Sequence, residues 1–270
     1  MTSWGVPCRA QLTRPFPKRS HQGKGARPVR ARQGTPRDGG TRGRLVITID
    51  GPTGTGKSTA ARRLARRLGY LYLDTGAMYR AVALEAVNQG ADLTDAEGIA
   101  ALARRCRLGF RKGSAGRWRV FLGRTDVTRA IRRPEIGQAA SRIAVLPALR
   151  RELVRRQRLL GKAGGIVAEG RDTGTVVFPS ADLKIFLTAD LAERVRRRHA
   201  ELIEEGASVT RQQVLREVRQ RDRRDRLRKA APLKPASGAV RINNTKLKSD
   251  QVLANMLDYV GRINRYGHFI

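Results

Sequence analysis

The chain has 270 residues, with 56 Lys and Arg against 23 Asp and Glu, and a formal charge of +33. That length accommodates one large core, or a core with a small inserted domain, and no window approaches the roughly 18 consecutive apolar residues of a membrane helix. Two cysteines and three histidines exclude a disulfide framework and leave little for a zinc site or a histidine relay, so a reducing cytoplasm is the expected compartment.

Residues 1 to 44 carry eleven Lys and Arg against Asp38 alone, a charge of +10 that leaves +23 on residues 45 to 270. The basic character therefore extends through the whole chain. An arginine-biased proteome, binding of polyanions and polyanionic substrates all account for it, and most of these arginines are expected at the surface. Residues 1–43 lack hydrophobic periodicity, are crowded with Pro, Gly, Arg, Ser and Gln, and are expected to form a disordered basic extension. They contain no apolar stretch of the signal-peptide kind. The extension reads either as unselected sequence or as an arm that binds nucleic acid weakly.

From Leu45 the chain reads as alternating strands and helices. An apolar run, Leu45 to Ile49, precedes Gly51-Pro52-Thr53-Gly54-Thr55-Gly56-Lys57-Ser58-Thr59, which fits G-x-x-x-x-G-K-[ST]. Glycines at this spacing let backbone N–H groups close around phosphate oxygens, and the helix that follows aims its free amides at the same anion. Lys57 is then placed to reach the β- and γ-phosphates, and Ser58 to offer its hydroxyl to Mg²⁺. Ala60, Ala61, Leu64, Ala65 and Leu68 mark the buried face of that helix.

A short strand, Tyr70 to Leu73, leads to Asp74 or Thr75 as the cap of a helix carrying Tyr79 and Arg80. That helix start faces the phosphate loop if the two strands are neighbours in a parallel sheet. Asp92 to Arg105 reads as a helix, and Leu108 to Leu122 as a hairpin turning at Gly113 to Gly116, a small antiparallel insert with Trp118 and Phe121 as packing residues. Pro134 to Leu160 is helical with a break near Pro147. The strand Gly165 to Ala168 ends in Glu169, an acid placed for a metal or its water. A further strand, Leu183 to Leu187, precedes helices at Asp190 to Glu204 and about Thr210 to Lys229. On the second, Arg221, Asp225 and Arg228 share a face, and by themselves read as an intrahelical salt-bridge set.

A phosphate loop alone leaves many nucleotide-binding activities open. A GTPase is disfavoured, because no Asn is followed by Lys as N-K-x-D requires. A nucleic-acid-binding protein, in which the charge is the functional feature, lacks the interleaved exposed aromatics of single-strand binders. Arginines after strands suit the charge neutralisation that phosphoryl transfer between two anions demands.

Asp74-Thr75-Gly76-Ala77-Met78-Tyr79-Arg80, Glu169-Gly170-Arg171-Asp172 running to Pro179, and Arg221 to Asp225 with Ala230 to Ala236 together resemble bacterial cytidylate kinase, in the family's order, over about Leu45 to Leu257. The resemblance implies an α/β P-loop kinase fold, a parallel sheet flanked by helices. It further implies a kinase domain at 44–268, a small antiparallel insert at about 92–140 in the monophosphate-binding region, and a mobile lid at about 194–206. It implies ATP-dependent, Mg²⁺-assisted phosphorylation of CMP and dCMP by a cytoplasmic protein, expected to be a monomer. By the same resemblance Ser141, Arg150 and Asp172 correspond to contacts with cytosine, and Arg80, Arg171 and Arg228 to contacts with the monophosphate. Tyr79, Arg221 and Asp225 correspond to residues near the ribose; Thr75 joins this CMP set. Arg197 and Arg198 are the lid candidates to close over the transferring group, beside Lys57 and Arg171. Departures from the family pattern are the basic extension, Arg226 in place of a small polar residue, and Ile242 to Thr245 in place of an acidic segment.

Overall fold

A computed structural model describes residues 44–113 and 118–266. The basic extension, the tip of the hairpin turn and the end of the expected kinase domain lie outside them. In chain order the first half comprises β1 (Val46–Asp50), α1 (Lys57–Leu68), β2 (Leu71–Asp74), α2 (Thr75–Asn88), α3 (Ala96–Arg105), β3 (Leu108–Lys112), β4 (Trp118–Leu122) and β5 (Thr125–Asp126). The second half comprises α4 (Pro134–Ile143), α5 (Pro147–Gly161), β6 (Ile166–Gly170), β7 (Leu183–Thr188), α6 (Leu191–Glu204), α7 (Arg211–Leu227), β8 (Val240–Asn243) and α8 (Ser249–Tyr266).

Five strands form one sheet in the order β2-β6-β1-β7-β8, every neighbouring pair parallel. Parallel pairing through crossover helices covers both faces, which is why the strands are apolar runs rather than alternating ones. Successive β6 residues serve opposite faces. Ile166 and Ala168 join the core under α2 to α5, while Val167 joins Ile47, Ile49 and Leu187 in the core under α1 and α8. β2 and β1 are not neighbours as the sequence reading required, because β6 lies between them. The start of α2 nonetheless reaches the same edge, since Asp74 pairs with Glu169 and Asp50 with Gly170 in register across β6.

The insert is a three-stranded antiparallel sheet, β3-β4-β5, with Val120 built into the larger core. Trp118 packs on the second core, and Phe121 carries the Arg111 guanidinium 4.8 Å above its ring. The helix expected from Asp92 begins later, at Ala96. Asp92 instead accepts from the Thr94 N–H at 2.8 Å in a turn, and Asp95 caps the helix through the Gly98 N–H. β5, β8 and a π-helical turn at Thr173–Val177 carry too short a pattern for periodicity to register. Among the described residues no helix is long and apolar enough to cross a membrane.

Candidate active site

The loop between β1 and α1 wraps the start of that helix. Gly54 and Gly56 have φ of 76° and 82°, a left-handed conformation that only glycine adopts without strain. Gly56 serves as N-cap with no side-chain bond, so the first amides of α1 are open to a ligand. Lys57 Nζ donates to Pro52 O at 2.6 Å. Burial, then the neighbouring Arg171 guanidinium, push its pKa down to about 7.

A cleft of about 410 Å³ opens over this loop at the carboxyl ends of the strands, where open α/β sheets place their ligands. The residues singled out from the sequence line it, except Gly51, Pro52, Thr55 and Arg197. The first three lie buried beneath the loop. Arg197 turns aside to Glu193 and Asn244, whereas Arg198 faces the cleft. Thr53, Gly54, Gly56, Lys57, Ser58 and Thr59 form its floor at one end; Thr75, Tyr79, Arg80, Ser141 and Arg150 form the wall from α2, α4 and α5.

Four of the cleft's arginines, Arg80, Arg150, Arg171 and Arg228, are held by acids outside their own helix or strand. Arg171 donates to Asp225 Oδ2 at 2.8 Å and to Thr53 Oγ1 at 2.9 Å, tying the end of β6 to α7 and to the loop. Asp172 lies between two arginines, Arg150 and Arg228, the latter at 3.4 Å. Both guanidiniums are buried, and that of Arg150 also stands 5.9 Å from the centre of the Tyr79 ring. Arg80 rests on Asp74 at 2.8 Å. The intrahelical reading of Arg221, Asp225 and Arg228 is thus corrected, since Asp225 pairs with Arg171 and Arg228 with Asp172, the two residues that follow β6. Arg221 has no hydrogen bond among the described residues. Burial, with Arg171 beside it, lowers it to about 10. Burial alone raises Asp225, but Arg171 and Arg221 outweigh it and hold the carboxylate below its usual value.

Glu169 stands at the back of the cleft, its carboxylate accepting from the Tyr72 hydroxyl at 2.6 Å. Burial and the nearby Asp74 raise its pKa, opposed by Lys57 and by the Ser58 hydroxyl. Several contributors escaped the sequence reading. Arg132 and Arg133 line the cleft from the turn before α4. Tyr72 looked only like a strand residue. Asp50 accepts from the Thr173 N–H and hydroxyl at 2.8 Å and the Gly174 N–H at 2.7 Å, folding the π-helical turn over β1. Burial raises Asp50 against those bonds. Asp50→Ala is expected to destabilise the fold by about 3 kcal/mol, because three buried donors lose their acceptor. A fall in the urea midpoint at unchanged slope would register that loss.

A family model for cytidylate kinase matches residues 47–262. The cytidylate kinase of Pelotomaculum thermopropionicum is 48% identical over 207 residues, 77% of this chain and 92% of that protein. The cytidylate kinase of Pseudomonas savastanoi pv. phaseolicola is 48% identical over 216 residues, 80% of this chain and 94% of its own length. Among solved structures, a shikimate kinase from Bacteroides thetaiotaomicron aligns with 80% of this chain and 98% of its own, at 12% identity and a TM-score of 0.41. A family match that runs from the first strand into the last helix, with relatives 48% identical over most of the chain, makes the chain a member of the cytidylate kinase family, a nucleoside-monophosphate kinase.

Proposed function

We propose that this kinase transfers the γ-phosphoryl group of ATP in line to CMP and dCMP. The observation that carries the reading is Asp172, which lines the cleft and is fixed there by Arg150 and Arg228. A carboxylate so held accepts from the 4-amino group of cytosine, whereas uracil would turn an acceptor toward it. Ser141 and Arg150 complete the base end and Tyr79, Arg221 and Asp225 the sugar end, with Thr75 in the same CMP-binding set. Arg80, Arg171 and Arg228 supply positive charge for the monophosphate, and the loop with Lys57 supplies it for ATP. Arg198 closes from α6 over the transferring group, and Arg197 acts from the loop side. Closure of the 194–206 segment would exclude water from that group.

The oxygen donors at the loop suit Mg²⁺, which takes one or two protein ligands and keeps its waters and the substrate phosphates. The Ser58 hydroxyl would hold the ion and Glu169 its water; bound there, it would neutralise charge between the β- and γ-phosphates. The protein is proposed to act as a cytoplasmic monomer, with the extension as a weak nucleic-acid-binding arm.

The test is ATP consumption with CMP, dCMP, UMP and AMP in parallel, for the full chain and for one starting at Gly43. Turnover confined to CMP and dCMP, and unchanged by truncation, is expected; failure of every monophosphate in both forms would remove the reading. Salt separates the extension's role from catalysis, since nucleic-acid binding through many phosphates falls steeply with ionic strength while turnover falls mildly.

A further inference from the structure

A loop that aims its N–H groups at an anion turns carbonyls the other way, into protein. A buried carbonyl without a donor costs free energy, so each needs a partner. Three carbonyls of this loop find theirs on three different segments. Pro52 O accepts from Lys57 Nζ at 2.6 Å and from Thr55 Oγ1 at 3.1 Å. Thr53 O accepts from Arg194 Nη1 of α6 at 3.2 Å. Thr55 O accepts from Asn244 Nδ2 at 2.6 Å, a residue just past β8 and 189 positions away in the chain.

Asn244 is 4% exposed and does not line the cleft. Its amide is engaged at both ends. Oδ1 accepts from Arg197 Nη1 at 3.1 Å, and the Asn244 backbone carbonyl accepts from Arg197 Nη2 at 2.9 Å. A guanidinium only donates and a carbonyl only accepts, so these two neighbours leave the amide one orientation. The residue's own N–H is anchored to Thr188 O at 2.9 Å, at the end of β7. Asn244 Nδ2 and Arg197 Nη1 lie 3.5 Å and 3.9 Å from where a Cβ on Gly56 would stand, against the outer side of the loop.

We propose that Asn244 is a positioning residue for the triphosphate of ATP. It holds the Thr55 carbonyl outward, which keeps the loop's amides aimed into the cleft, and it links that arrangement to Arg197 on α6. The inference rests on the reading of the loop as the ATP site, and assigns to the segment after β8 a part in the reaction that its sequence does not announce.

The variants that test it are Asn244→Asp, which keeps the shape and the acceptor for Arg197 but removes the donor to Thr55, and Asn244→Ala, which removes the amide without adding charge. Calorimetric titration of the full chain with AMP-PNP, inorganic tripolyphosphate and CMP reads the effect, beside the melting temperature. Loss of one buried donor is expected to weaken AMP-PNP and tripolyphosphate by the same factor, about tenfold, with CMP binding within about twofold of wild type. A general structural role would weaken all three alike. That result, or wild-type affinity for tripolyphosphate in both variants, would overturn the proposal; a single foldable variant suffices to read it. A wild-type chain that binds CMP but neither triphosphate would overturn the ATP-site reading together with the inference.

Discussion

Asp172→Asn is expected to lower kcat/KM for CMP by on the order of 10³ while leaving KM for ATP within about threefold. A site built around a polar partner discriminates far more strongly than an apolar pocket, because groups left unpaired in it are costly. In this chain the carboxylate has a second task, separating the buried Arg150 and Arg228 guanidiniums. Asp172→Ala leaves both cations without their counterion, and removing one partner of a buried pair costs about 3–5 kcal/mol. Asp172→Asn removes the same charge and keeps only the shape, so both variants lose stability, and the ratio of CMP to UMP turnover within one variant reads base recognition. Steady-state kinetics with CMP, UMP and ATP, alongside urea denaturation, measure both. An Asp172→Asn protein that keeps CMP turnover within about fivefold would exclude Asp172 as the base-reading group.

Lys57→Met is expected to lower kcat by on the order of 10³, the loss that follows removal of one preorganised charge donor from a phosphoryl-transfer site. A second signature is independent of turnover. With its pKa at about 7, Lys57 is mostly neutral at pH 8 in the free protein, and a bound triphosphate raises it again. ATP binding at pH 8 should then take up close to one proton, measurable as the dependence of the calorimetric heat on buffer ionisation, and Lys57→Met should abolish the uptake. The sign for stability follows from the same shift. Between about pH 7 and the ordinary value of 10.5 the folded protein binds fewer protons than the unfolded chain, so the cost of burying Lys57 falls as pH rises through that window.

The elements that a short window encodes were legible before the structure. β1, α1, α5 and β7 follow from apolar runs and from i, i+4 spacing, and the phosphate loop from its glycines, because backbone geometry there is decided by residues within one turn of one another. The site's membership was legible through motifs: Thr75, Tyr79, Arg80, Arg171, Asp172, Asp225 and Arg228 all reach one cleft.

What each charge does was not legible. By spacing alone Arg221, Asp225 and Arg228 form an intrahelical set, yet Asp225 answers to Arg171, 54 residues away, and Arg228 to Asp172. Arg197 and Arg198 are adjacent and chemically identical, but only their rotation about α6 sends one to Asn244 and the other to the cleft. Asp50, Tyr72 and Asn244 carry no local signal, since their partners Thr173, Glu169 and Thr55 come from remote segments. The sequence by itself determined the loop, the order of strands and helices, and the set of groups delivered to the strand ends. The tertiary structure decided which of those groups meet, because hydrogen bonds and ion pairs act over a few ångströms, and only the parallel sheet brings segments more than a hundred residues apart within that reach.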